Sequence, residues 1–139
     1  MPHEEALPET FDRTPRLVLW DWNGTLLDDA AYAMRKAFEE RRDVLVKGIN
    51  AIDGLSCLKP EGAFYVMMNV TRLMGKRYEN QLINDSAAFA DTLLTYGKVS
   101  VVPGSAFMAE GFCRLSYATS REEILEGLRR IETFVTKLA

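Results

Sequence analysis

Histidine is almost missing from this sequence: there is one in 139 residues, His3, in the polar N-terminal stretch. A histidine-based metal site and a Ser-His-Asp triad are thereby excluded. Cysteine is nearly as scarce. Cys57 and Cys113 each fall in a predicted strand, which suits buried reduced thiols better than a disulfide framework or a metal cluster. Basic excess is absent too, with 17 Lys and Arg against 20 Asp and Glu and a net charge of −3. Such a surface has little with which to neutralise phosphates, so no nucleic-acid partner is expected. No apolar run approaches the roughly 18–20 residues of a membrane span, so no membrane association is expected. The opening MPHEEALPET has no apolar signal-peptide core, so the expected location is cytoplasmic. Internal repeats and low-complexity stretches are also lacking.

What is present is ordinary globular material. Apolar residues make up 47% and charged residues 27%, the balance of a chain that buries a core. At this length one domain is expected, burying roughly two-thirds of its unfolded surface. Residues 1–14, with Pro2 and Pro8, read as a flexible arm. RLVLWD at 16–21 suits a strand buried on both faces, and Asn23-Gly24 forces a turn. From 30 to 52, Met34, Phe38, Leu45, Ile49 and Ile52 recur at helical spacing, and Asp53-Gly54 ends the helix. A strand at 55–58, a turn at 59–62 and a strand at 63–70 read as a hairpin. Residues 71–84 read as irregular. A helix capped by Asp85 or Ser86 runs to about Tyr96 and ends at Gly97. Strands are expected at 99–102 and 112–117, around the turn at Pro103-Gly104. Ser120 and Glu123 form a capping box for a last helix, with Ile124, Leu128, Ile131, Val135 and Leu138 as its buried stripe. The order from residue 30 onward predicts an α+β fold (a two-layer α/β arrangement), a small mixed or antiparallel sheet covered by helices.

KPEGAFYV at 59–66, DSAAFADTLL at 85–94, VVPGSAF at 101–107 and RLSYATS at 114–120 carry a resemblance. In that order and spacing they resemble the C-terminal small domain of class I pyridoxal-phosphate-dependent aminotransferases of the aspartate type. The similarity is placed at about 34–139. It implies that Arg114 grips the substrate's α-carboxylate, a task suited to a planar guanidinium that donates two parallel hydrogen bonds. The residues alone leave another reading open: an arginine at a strand edge, reaching water or pairing with a nearby carboxylate. Met108 departs from the family pattern, which usually has glycine after SAF. The cofactor lysine, the partner of the cofactor ring and most phosphate-binding groups belong to a large domain that nothing here resembles. Transamination by this chain alone is therefore not expected.

LVLWDWNGTLLDD at 17–29 resembles motif I of the haloacid dehalogenase-like phosphohydrolases. The resemblance implies Asp21 as nucleophile and magnesium ligand, Asn23 at the second acidic position and Thr25 on the phosphate. An amide at 23 cannot act as general acid or base. Asp21 and Asn23 also read as mere turn builders, and the family's later motifs are missing. The two resemblances meet near 29–33. The expectation is therefore a recombined or engineered chimera, with a dehalogenase-like strand and turn at 15–29 joined to an aminotransferase-like part at 30–139 in one domain. The apolar strand at 17–20 is expected to pair with the strand at 99–102 or 112–117.

The functional expectation is a domain without autonomous catalysis that keeps the carboxylate-binding Arg114. One alternative is half of a split pyridoxal-phosphate transaminase, and another is a magnesium-dependent phosphohydrolase using Asp21. No cofactor is expected for the chain alone; pyridoxal phosphate follows from the aminotransferase resemblance and magnesium from the alternative. Self-association is expected through the surface that a large domain would cover. Lesser features have plain readings. Residues 39–42 are a solvated helix face, Met67-Met68 are packing residues, Gly104-Ser105 is no phosphate cradle, and the Asn69-Val70-Thr71 sequon is unused.

Overall fold

The computed structural model describes residues 25–139, with side chains from Asp29 onward. The strand and turn predicted at 15–24, and their pairing with the sheet, lie outside the described residues. The chain divides into two units, Met1–Arg35 and Lys36–Ala139. Of the first, only the opening of one helix is described; the rest of the fold concerns the second.

That helix, α1, runs Thr25–Ala51, beginning upstream of the residue 30 expected from periodicity. Leu45 and Ile49 are buried one turn apart, and Phe38 packs against the same core. Beyond α1, Gly54 takes φ +89°, where an L side chain is strained, and a Cβ there would come within 2.6 Å of Leu73 Cδ2.

Six short strands follow: β1 (Ser56–Cys57), β2 (Tyr65–Asn69), β3 (Arg77–Tyr78), β4 (Gln81–Leu82), β5 (Val102–Pro103) and β6 (Phe112–Ser116). β1, β2, β6 and β5 form one antiparallel sheet in the order β1-β2-β6-β5. β3 and β4 make a separate small hairpin inside the region expected to be irregular. These two-residue strands are too short for alternation to show. A long-range bond anchors the hairpin, because the Arg77 and Ala139 backbones exchange two hydrogen bonds of 2.9 Å. Of the strand expected at 99–102, only Val102 joins the sheet; Val99 and Val101 pack against the core instead.

Helix α2 (Ser86–Thr92) is capped by the Asp85 carboxylate, which accepts from Ala88 N–H at 2.7 Å. It continues into a wider π turn, Leu93–Gly97. The left-handed residue after that turn is Lys98, at φ +55°, and not Gly97 as the sequence suggested. The wider turn takes in one more residue, so the stop falls one position later. Helix α3 spans Arg121–Thr136. Ser120 Oγ accepts from Glu123 N–H at 3.2 Å, but the Glu123 carboxylate takes the Thr119 hydroxyl.

The sheet has two faces because strand side chains alternate. Val66, Met68, Cys113 and Leu115 are buried beneath the helices, with Ile124, Leu128, Ile131 and Phe134 of α3 in the same core. Tyr65, Met67, Asn69, Phe112, Arg114 and Ser116 alternate with them and are half-buried or exposed. This is the small antiparallel, helix-covered α+β fold expected. Both cysteines are free, and both strands carrying them pair at Met68. Cys57 and Cys113 are thus two strands apart, about 9.5 Å, outside the ~7 Å reach of a disulfide. Burial pushes both thiols up, Cys113 to about 12.

Candidate functional site

Arg114 is the centre of β6. Its backbone faces Met67 of β2 on one side and Val102 of β5 on the other. β6 is therefore an interior strand, and the reading of Arg114 as a strand-edge residue is corrected. Among the described residues no carboxylate forms an ion pair with it. Its guanidinium instead sits against two aromatic rings, with Cζ 5.1 Å from the Tyr65 centroid and 4.4 Å from that of Phe107. Such cation–π contacts contribute about 0.5–1 kcal/mol each at exposed sites. Its N–H groups are not taken up by any ion pair among the described residues.

Three sequence motifs meet here. RLSYATS supplies Arg114, KPEGAFYV supplies Tyr65 on β2, and VVPGSAF supplies Val102 on β5 and Phe107 on the turn after it. The loop before β2 is pinned to the end of β6. Ala63 lies at φ +65°, its carbonyl accepts from Tyr117 Oη at 2.6 Å, and the Phe64 carbonyl accepts from Tyr117 N–H at 2.8 Å. This fixes the start of β2 and hence the place of Tyr65.

Phe107 ends a single 3-10 turn, Gly104–Phe107. Gly104 is buried, and a Cβ on it would lie 1.9 Å from Ala109 O and 2.5 Å from Phe112 O. Both neighbours are backbone, so a side chain cannot be accommodated without moving the turn. Met108 follows in the left-handed region at φ +57°, fully exposed. The place where the aminotransferase pattern has glycine is thus a backbone position that favours glycine, and the methionine is carried there with its side chain in solvent.

The residue that sequence reasoning missed is Glu110. Its Oε1 accepts from Ser86 N–H at 2.5 Å and from Gly111 N–H at 3.1 Å, and its Oε2 accepts from Ser86 Oγ at 3.1 Å. Ser86 is fully buried, and its Oγ in turn accepts from Ser105 N–H at 3.2 Å. The backbone N–H groups of Ser86 and Gly111 hold the Glu110 carboxyl below its ordinary range. The available signal was a lone acid in an otherwise uncharged run, GSAFMAEGFC.

Asp21 and Asn23 lie outside the described residues, and Thr25 is the first residue of α1. Among the described residues no group of three His, Cys, Asp or Glu side chains could hold a metal ion, and no helix is long and apolar enough to cross a membrane. Pyridoxal phosphate needs an imine-forming lysine and an acid for its ring nitrogen. Lys36, Lys47, Lys59, Lys76, Lys98 and Lys137 are all exposed. Lys59 is engaged with Asp43 at 2.9 Å. The side chains in contact with or paired to Arg114 are Tyr65, Met67, Val102 and Phe107, which supply neither group. The described residues do not by themselves fit the cofactor.

Comparison with known proteins places this arrangement. The family "Aminotransferase class I and II" matches residues 23–131. An aspartate aminotransferase of Streptomyces avermitilis is 40% identical over 108 residues, covering 78% of this chain and 26% of that protein. A probable aspartate/prephenate aminotransferase of Aquifex aeolicus is 46% identical over 104 residues, covering 75% and 25%. The crystal structure of the aspartate aminotransferase from Rhizobium meliloti superposes with a TM-score of 0.73 at 44% identity, over 75% of this chain and 26% of that one. The chain thus spans about a quarter of the length of the relatives it matches. The family match opens at residue 23 and not at about 34, so residues 23–33 fall within it. None of these findings supports a dehalogenase-like segment, a chimera or an engineered join.

Proposed function

The chain belongs to the aminotransferase class I and II family, and on that premise we propose that it is the carboxylate-gripping part of an aspartate-type aminotransferase, with Arg114 as the gripping residue and no complete transamination of its own. The observation that carries this reading is the setting of Arg114: a half-buried guanidinium on an interior strand, against the rings of Tyr65 and Phe107, with no ion-pair partner among the described residues. Folding does not require a cation there. A carboxylate meeting its N–H groups gains two parallel charge-assisted bonds.

Pyridoxal phosphate belongs to the activity of such an enzyme, and the groups that hold it come from outside the described residues. Tyr65, Val102, Phe107 and Met108 are exposed around Arg114. This apolar rim is the surface on which the complementing part of the enzyme sits; in its absence the same surface supports self-association.

The test is conversion of aspartate and 2-oxoglutarate with added pyridoxal phosphate. It is run on the chain alone, and on the chain mixed with a purified fragment holding the rest of a related aspartate aminotransferase. No turnover is expected from the chain alone. The mixture is expected to turn over, with a loss of about 100-fold for Arg114→Ala. Turnover by the chain alone, or a mixture indifferent to Arg114→Ala, would contradict the proposal.

A further inference from the structure

The geometry points to Glu110 as a positioning residue for Arg114, acting through the turn that carries Phe107. This rests on the reading of Arg114 as a carboxylate-binding residue and adds to it the device that holds the site in shape. The chain of contacts is continuous. The Glu110 carboxylate takes the Ser86 N–H and hydroxyl at the start of α2. Ser86 Oγ then accepts from Ser105 N–H, within the turn Gly104–Phe107. Phe107 closes that turn and lies 4.4 Å from the Arg114 guanidinium carbon.

The turn needs such a tie. It projects from a two-residue strand, β5, at the outer edge of the sheet. Its backbone closes on itself through Ala109 N–H to Gly104 O at 2.8 Å and through Met108 N–H, shared between Gly104 O and Ser105 O. Residue 108 is a methionine in left-handed backbone, which disfavours the turn that Phe107 needs. Ser86, fully buried as the first residue of α2, couples the turn to that helix, and Glu110 fixes the Ser86 hydroxyl as a donor to itself. The same hydroxyl oxygen is then free to accept from Ser105 N–H. A carboxylate suits this place because its two oxygens accept all three bonds.

The test is ¹⁵N NMR of the full chain, following the Arg114 Nε–H resonance, which the Phe107 ring current displaces. Phe107→Ala gives the reference position for a guanidinium without that ring. Glu110→Ala is expected to move the Arg114 signal toward this reference and to shift the amides of 104–108, while the amides of Val66 and Leu115 stay in place. Glu110→Gln keeps a carbonyl acceptor and is expected to stay near the wild-type position. Succinate affinity is expected to fall about fivefold in Glu110→Ala, the size of one lost cation–π contact, and less than twofold in Glu110→Gln. An Arg114 signal unmoved in folded Glu110→Ala overturns the inference. Should Glu110→Ala fail to fold, Ser86→Ala decides: a displaced Arg114 signal supports the link and an unmoved one overturns it. Absence of succinate binding in the wild type would overturn the carboxylate reading alone, because the resonance still reports on Glu110.

Discussion

The two faces of the β1-β2-β6-β5 sheet are made by the same strands, and they follow different rules. The covered face carries Val66, Met68, Cys113 and Leu115, all buried under the helices. The open face carries Tyr65, Met67 and Arg114, with Phe107 folded back over the arginine. Burial accounts for every residue on the first face. It accounts for none of the cation and little of the aromatic rim on the second. The covered face therefore sets stability, and the open face carries the residues of the proposed carboxylate site. A substitution on one should leave the other's property almost intact.

The sharpest break of the covered side is Phe134→Ala. Phe134 stacks on Tyr78 at 5.0 Å and meets Phe89 edge-on at 5.8 Å. Its truncation is expected to cost about 3–5 kcal/mol in urea unfolding. Gly104→Ala comes next, at up to ~3 kcal/mol, because the added carbon meets two carbonyls that cannot yield as a side chain would; the same denaturation assay checks it. Arg114→Ala is expected to change stability by about 1 kcal/mol or less, the scale of its aromatic contacts, while removing carboxylate binding. Met108→Gly is expected to stabilise by about 0.5–1 kcal/mol by relieving left-handed strain, with no loss of binding.

The smallest effect is on acid sensitivity. Glu126 is held down to about 2 by hydrogen bonds from Arg129 and Arg130, and Glu110 is lowered by the Ser86 and Gly111 amides. A carboxylate whose pKa is depressed on folding stabilises fully above its unfolded value and loses that contribution as pH falls through the folded value. Stability should thus decline from about the ordinary glutamate value of 4.5 toward 2. In a melting-temperature series the Glu110→Gln, Glu126→Gln double variant should flatten that decline. The effect is modest because these are surface groups.

Helical periodicity made α1, α2 and α3 legible in the sequence, and apolar runs made β2 and β6 legible. Their ends were less so. Gly97 looked like the stop of the second helix, yet the π turn moved the left-handed position to Lys98. The β3–β4 hairpin left no pattern because its strands are two residues long and its anchor is Ala139, a contact that no local signal encodes. At the site, Arg114 stood out as a charge in an apolar strand, and the motif order implied its role. That β6 is an interior strand, and that Tyr65 and Phe107 enclose the guanidinium, required the register. Glu110 escaped notice because its partners, Ser86 and Ser105, belong to other elements and carry no charge.

The most direct measurement is calorimetric titration of the chain with succinate, run beside Arg114→Ala. Saturable binding in the wild type, lost in the variant while its unfolding midpoint stays within a few degrees, is the predicted result. Equal heats from both proteins, or no binding by a folded wild type, would contradict the assignment of the open face to carboxylate recognition.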